Sequence, residues 1–240
     1  TPPTDDHETL RFLLRELEPE VMPVAGSNPV AAIKLALTML GNQQRQSGRL
    51  LLISDDLQAA QRDLQLELNA TPLTNPKRRT ELMQAFFGAA GEGLYLECPV
   101  YANWGCNTYW GERCYANFNL TLVDDGEIFI GSHTMIGPNV TLVATGHPVR
   151  PDLRYQGAQY SLPVHIGENV WIGANVTVLP GVTIGDNAVI GANSLVTKDI
   201  PANTVAYGSP CKVIREINER DDVYYWRDRQ FSDRFKIKEQ

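Results

Sequence analysis

Residues 166–201 divide into six consecutive units of six: IGENVW, IGANVT, VLPGVT, IGDNAV, IGANSL and VTKDIP. The first position of each is branched and apolar: Ile166, Ile172, Val178, Ile184, Ile190, Val196. The fourth is Asn or Gly in five of them, at Asn169, Asn175, Gly181, Asn187 and Asn193. A strict period of six belongs neither to a helix, which repeats every 3.6 residues, nor to a lone strand, which repeats every two. A coil of short strands joined by tight corners does produce it, and hexapeptide periodicity is a sign of a β-helix. The pattern predicts one apolar residue per hexad pointing into a narrow prism. Asn or Gly sits at the corner, where left-handed backbone angles cost those residues least.

The sixes also occur earlier. WGERCY, ANFNLT and LVDDGE cover 110–127, the phase slips by two residues, and IGSHTM, IGPNVT and LVATGH cover 130–147. Residues 148–163, PVRPDLRYQGAQYSLP, hold three prolines and cannot form a coil side. They are expected to project from one edge, where such loops often carry function. The coil is read as residues 94–206, with residues 207–240 as a cap and charged aromatic tail that covers the open end.

Helical patterns precede the coil. Residues 5–18 and 30–40 place apolar side chains on one face, and residues 1–46 read as a helical extension without a motif. Residues 47–93 read as a second helical segment packing on the coil, with Ser54-Asp55-Asp56 as a cap and a break from Asn69 to Pro76. The basic run Lys77-Arg78-Arg79 is expected to be a solvated face. The fold class is therefore mainly β, a parallel β-helix of hexapeptide repeats with an N-terminal helical segment.

A net charge of −7 argues against a nucleic-acid binder, which usually shows a basic face. No apolar run reaches the roughly 20 residues of a membrane span. No secretory signal is legible, and Cys98, Cys106, Cys114 and Cys211 lack CxxC pairing, so reduced thiols in a cytoplasmic protein are expected. No histidines lie close enough in the repeat to suggest a metal site, and none is expected.

Among residues that could carry chemistry, His147 ends a hexad where the projecting loop begins, a position suited to a general base. Taken alone, such a His is more often a satisfied structural residue. His133 and His165 are expected to be exposed. Asp124-Asp125, Asn117 and Asn119 are candidates to line one groove and meet hydroxyl groups, or else are corner residues chosen for turn geometry.

YANFNLTLVDD (115–125), IGPNVTLVATGHPV (136–149), the 166–201 array and GSPCKVIREI (208–217) together resemble the hexapeptide-repeat acetyltransferases of the galactoside and maltose O-acetyltransferase group, most strongly the galactoside branch. The resemblance spans about residues 77–226. It implies a left-handed coil, a homotrimer with active sites between subunits, and acetyl transfer from acetyl-CoA to a sugar hydroxyl in a ternary complex. It places the catalytic His at His147 and acceptor contacts at Asn117, Asp125, Tyr115 and Asn103. It places CoA contacts at Trp171, Ala174, Ala192 and Thr197, with Lys198, Lys212 and Arg215 facing the phosphates. Two positions depart from the pattern: Ile53 stands where the family has an N-terminal sugar-binding Asp, with Asp55 and Asp56 just beyond, and Asn103 stands where galactoside enzymes have Ser. A non-sugar hydroxyl acceptor, such as an antibiotic, and a trimeric scaffold without turnover are the competing readings.

Overall fold

A computed structural model describes residues 55–230, with side chains from residue 59 onward. Two compact units meet in the sequence at Ala59–Ala60, and the described residues belong almost wholly to the second. The helices expected at 5–18 and 30–40, Ile53, and the side chains of Asp55 and Asp56 lie outside the described residues.

The hexads form a three-sided coil of parallel strands. Face one stacks Ala89–Ala90, Thr108–Trp110, Ile128–Ile130, Val164–Ile166 and Thr183–Ile184. Face two stacks Tyr95–Leu96, Tyr115–Ala116, Met135–Ile136, Trp171–Ile172, Val189–Ile190 and Thr204–Tyr207. Face three stacks Val100–Ala102, Leu120–Val123, Thr141–Val143, Thr177–Val178 and Leu195–Val196. The first rung is Ala89–Ala90, five residues before the strand pattern becomes legible.

Two residues per hexad point inward, not one. The first-position residues are buried, but so are those at the fifth: Val170, Val176, Val182, Ala188, Ser194 and Ile200. The cause is the period of two within each short strand, because the fifth position and the next first position are two apart and share a face. Corners follow the expected chemistry. Asn169, Asn175, Asn187 and Asn193 all hold φ between 53° and 60°, and Gly181 holds 79°. Stacked corner amides also bond between rungs, Asn169 to Asn187 at 2.9 Å and Asn187 to Asn203 at 3.0 Å.

The two-residue slip has a definite location. Trp110 pairs with Ile130, twenty residues on, and Leu122 with Leu142, whereas Ile166 pairs with Ile184, eighteen on. Faces one-to-two and two-to-three keep six-residue steps throughout. The surplus falls at the corner from face three to face one, in 103–107 and again in 124–127. The 147–163 insertion leaves the coil at the same corner one turn higher. One edge of the prism thus takes up every lengthening of the repeat.

Both ends are closed. Below, helices α1 (Asp55–Ala70) and α2 (Pro76–Phe86) cover the first rung. Asn75 caps α2 by accepting from Arg78 N, and Pro76 opens it. Phe86 and Phe87 seal the prism, Phe87 meeting Trp110 edge-on at 5.9 Å. The lowest strand of face three has no strand beneath it, and amides of α1 satisfy it instead. Asn69 donates to Val100 O at 2.8 Å and accepts from Val100 N at 2.9 Å, while Gln65 accepts from Ala102 N at 2.6 Å. Arg79 is not on a solvated face: it is buried and donates to the carbonyls of Leu68, Thr71 and Leu96, tying the end of α1 to the coil. A helical run cannot show from sequence alone that one of three adjacent cations faces inward. Above, Lys212–Glu216 returns antiparallel along Thr204–Tyr207 and closes face two.

Replacing Asn69 with Ala leaves a buried N–H and C=O of the edge strand unpaired. We expect a loss of about 1–3 kcal/mol in denaturant unfolding, against under about 0.5 kcal/mol for Lys77→Ala on the exposed face.

Candidate active site

The edge that absorbs the extra residues carries the candidate chemistry. Asp124 and Asp125 adjoin there but serve different ends. Asp124 turns inward, is fully buried, and accepts from Trp104 N at 2.9 Å and Thr108 Oγ1 at 3.1 Å. Burial pushes its carboxyl above the usual range, while those donors pull it back. Asp124 is therefore a corner pin, beyond reach of a ligand, as its backbone carbonyl's bond from Asn107 Nδ2 at 2.8 Å also indicates. Asp125 turns outward. Asn103 Nδ2 donates to its Oδ2 at 2.6 Å and Trp104 Nε1 to its Oδ1 at 3.3 Å.

One rung higher, Thr145–Gly146 pairs antiparallel with Tyr160–Ser161 to form the stem of the projecting loop. The packing between these levels is tight: a Cβ on Gly126 would lie 2.7 Å from Ala144 O and 3.0 Å from Ser161 Cβ. His147 follows this stem and is exposed. Its Nδ1 lies 2.9 Å from Ala158 O. A carbonyl only accepts, so Nδ1 carries a proton, and in the neutral ring the lone pair is on Nε2. The loop holds its own shape through α3 (Pro151–Tyr155) and through Arg154, which donates to the carbonyls of Pro148 and Val149. Asn103, Asp125 and His147 thus climb one edge on successive levels.

The structure does not place Asn117, Asn119 or Tyr115 on that edge. Asn117 and Asn119 occupy the corner from face two to face three, and Tyr115 lies on face two, stacked on Tyr95 at 6.0 Å. Of the two readings of Asn117 and Asn119, groove lining beside Asp125 or corner residues chosen for turn geometry, the single chain has them at a corner on another edge, Asn119 with φ 60°: counting hexads gives the level of a residue, but level alone does not give the edge. His133 sits at a positive-φ corner and His165 stacks on Phe129, both exposed.

The remaining candidates are similarly divided. Ala174 and Ala192 stack at the second corner, bonded through Asn193 N to Ala174 O at 2.9 Å, beside exposed Trp171. Thr197 and Lys198 lie at the third corner, and Lys212 and Arg215 on the closing strand. Lys198 and Lys212 are exposed and make no side-chain bond among the described residues. Arg215 is engaged: Asp221 receives its fork at 2.6 and 2.7 Å, lowering the carboxyl from its usual value. No group of acidic, His and Cys side chains suited to a metal occurs among the described residues.

Comparison with known proteins bears on the family and the fold. Residues 163–198 match the model of the bacterial transferase hexapeptide family, described as six repeats. A galactoside O-acetyltransferase of Lactococcus lactis is 56% identical over 160 residues, covering 66% of this chain and 77% of the relative. One from Escherichia coli is 53% identical, covering 69% and 81%. The chain belongs to the hexapeptide-repeat acetyltransferases of the galactoside O-acetyltransferase family. A solved galactoside acetyltransferase in complex with coenzyme A superposes with a TM-score of 0.72 at 48% identity, over 76% of this chain and 93% of that one. A maltose O-acetyltransferase of Clostridium difficile gives 0.67 at 40%, over 69% and 90%.

Within this left-handed β-helix acetyltransferase, sequence reading missed Trp104 as a partner of Asp125 and Ala158 O as the group that orients His147. Trp104 follows Asn103 directly, and the two-residue surplus at its corner was the available signal. Ala158 offers only a backbone atom, which leaves no trace in a sequence. We expect Asp124→Ala to cost about 2–4 kcal/mol by stranding the Trp104 amide and the Thr108 hydroxyl; a thermal unfolding midpoint unchanged from wild type would contradict the corner-pin role.

Proposed function

We propose that this acetyltransferase moves an acetyl group from acetyl-CoA to a hydroxyl of a galactoside- or maltose-like sugar. It acts in a cytoplasmic homotrimer whose active sites lie between subunits. The observation that carries the reading is His147, its Nδ1 held by Ala158 O and its Nε2 left open, standing on the edge that also presents Asp125 and Asn103. His147 Nε2 takes the proton of the acceptor hydroxyl as its oxygen bonds to the acetyl carbon; the bond from that carbon to sulfur then breaks, and the departing sulfur takes the proton from Nε2 to leave as CoA thiol. Asp125 accepts from a second hydroxyl and so orients the sugar. Positioning of this kind, with base catalysis worth about 10²–10⁴-fold, accounts for a direct transfer without an acylated side chain.

Acetyl-CoA supplies the activated acyl group. The short side chains of Ala174 and Ala192 leave room for a slender arm beside Trp171, and the ammonium groups of Lys198 and Lys212 suit phosphates. Arg215, engaged with Asp221, has less of its fork to offer.

The trimer reading rests on the division of the site. Tyr115, Asn117, Ala174 and Ala192 lie away from the His147 edge within one chain, so a neighbouring copy is needed to bring the two sets together. Face two also exposes Tyr95, Met135 and Trp171 in one column, and Val149 and Tyr155 of the loop are each 93% exposed, an arrangement that suits contact with other copies. Relatives named for galactosides and a solved relative that binds coenzyme A support the substrates. All four cysteines are free thiols, which suits a reducing compartment.

With acetyl-CoA and a panel of glycosides, release of CoA thiol is expected to depend on both sugar and protein. His147→Ala should lower kcat by about 10²–10⁴-fold with the KM for acetyl-CoA near wild type. Turnover retained in that variant would remove His147 from the base role.

A further inference from the structure

Asp125 is held in an unusual way for a carboxylate at a surface edge. The bonds shown to it come from neutral groups: the amide of Asn103 at 2.6 Å and the indole N–H of Trp104 at 3.3 Å, one to each oxygen. No ion pair to Asp125 occurs among the described residues. Its remaining lone pairs are left for hydroxyl donors. Its orientation, however, depends on the corner beneath. An indole can only donate, so Trp104 cannot compete with Asp125 for the proton of a sugar hydroxyl. The Trp104 backbone is fixed by buried Asp124, which Thr108 anchors in turn. A chain of bonds thus runs from the interior of the prism through Asp124 and Trp104 to the outward carboxylate.

We propose that Trp104 is a positioning residue for acceptor binding, acting through its Nε1–H on Asp125. The proposal rests on the reading that Asp125 meets the acceptor. The contact forms at a corner that departs from the sixfold repeat, 103–107 holding two residues more than a regular corner. The bond at 3.3 Å is long for the isolated chain. Bonds of this kind commonly tighten once substrate is in place, so the indole would draw the carboxylate into line as the sugar binds. Asn103, expected to touch the acceptor, has one of its two amide N–H groups committed to Asp125 and keeps the other, with its carbonyl oxygen, for the sugar.

The test is a double-mutant cycle on the intact enzyme with a glycoside that the wild type turns over, followed by CoA thiol release. Trp104→Phe, Asp125→Asn and the double variant are compared for acceptor kcat/KM, acetyl-CoA KM and thermal midpoint. Trp104→Leu is run alongside in case the Phe variant is insoluble. Loss of one hydrogen bond to a charged group predicts about a tenfold fall in acceptor kcat/KM for Trp104→Phe, with acetyl-CoA KM and thermal midpoint unchanged. In the Asp125→Asn background the same change should then cost less than about twofold. Effects that multiply in the double variant would overturn the proposal, as would Trp104→Phe with wild-type acceptor kinetics while Asp125→Asn is impaired. Wild-type acceptor kinetics in Asp125→Asn itself would instead bring down the acceptor-site reading, and the proposal with it.

Discussion

Inter-rung register is the constraint on which this molecule depends. Each parallel strand of the coil is two to four residues long, and its backbone groups bond to the rungs above and below. A strand that slipped by one residue would turn Ile172 or Val178 outward and expose the core. The faces therefore admit no insertions, and side chains inside the prism must repeat in kind. Chain length can vary only at corners, and here it varies at one of the three. That edge takes two surplus residues twice, then a seventeen-residue excursion at 147–163, while the other two keep their spacing. The candidate chemistry gathers on it, where the coil permits irregular backbone.

The same constraint governs polar groups. A parallel coil has two open ends whose N–H and C=O groups lack partners. At the lower end Asn69 and Gln65 act as substitutes for a missing strand, and Arg79 gathers three carbonyls. At the edge of the surplus residues a similar need arises, met by Asp124. The adjacent carboxylates thus separate by role. Asp124 spends its oxygens on the backbone and a hydroxyl, which makes the corner rigid, and Asp125 can then be presented outward in a fixed place. Rigid support beneath an exposed polar group is what orienting a sugar hydroxyl requires.

Much of this was legible in the sequence, because a repeat states its geometry many times. The corner asparagines announced their positive φ, and Ile166 through Val196 announced the core. What failed were inferences across edges. Treating Asn117 as a neighbour of Asp125 confused height in the coil with position around it. One inward residue per hexad was too few, since the small or polar fifth-position residues Ala188 and Ser194 hid the second. The burial of Arg79 and the indole contact of Trp104 were not readable, because each depends on what lies across from it in space. The resemblance of 115–125 and 136–149 to a known family supplied the roles that spacing could not.

The central claim is that two edges of different subunits complete one site. It is tested most directly by mixing two inactive variants, His147→Ala and Asn117→Ala, after dissociating and reassembling each together. The account predicts that mixed trimers regain activity that neither parent shows, because some interfaces then pair an intact His147 edge with an intact Asn117 edge. Reassembled mixed trimers with no activity above the parents would contradict it and place both residues in the service of a single chain.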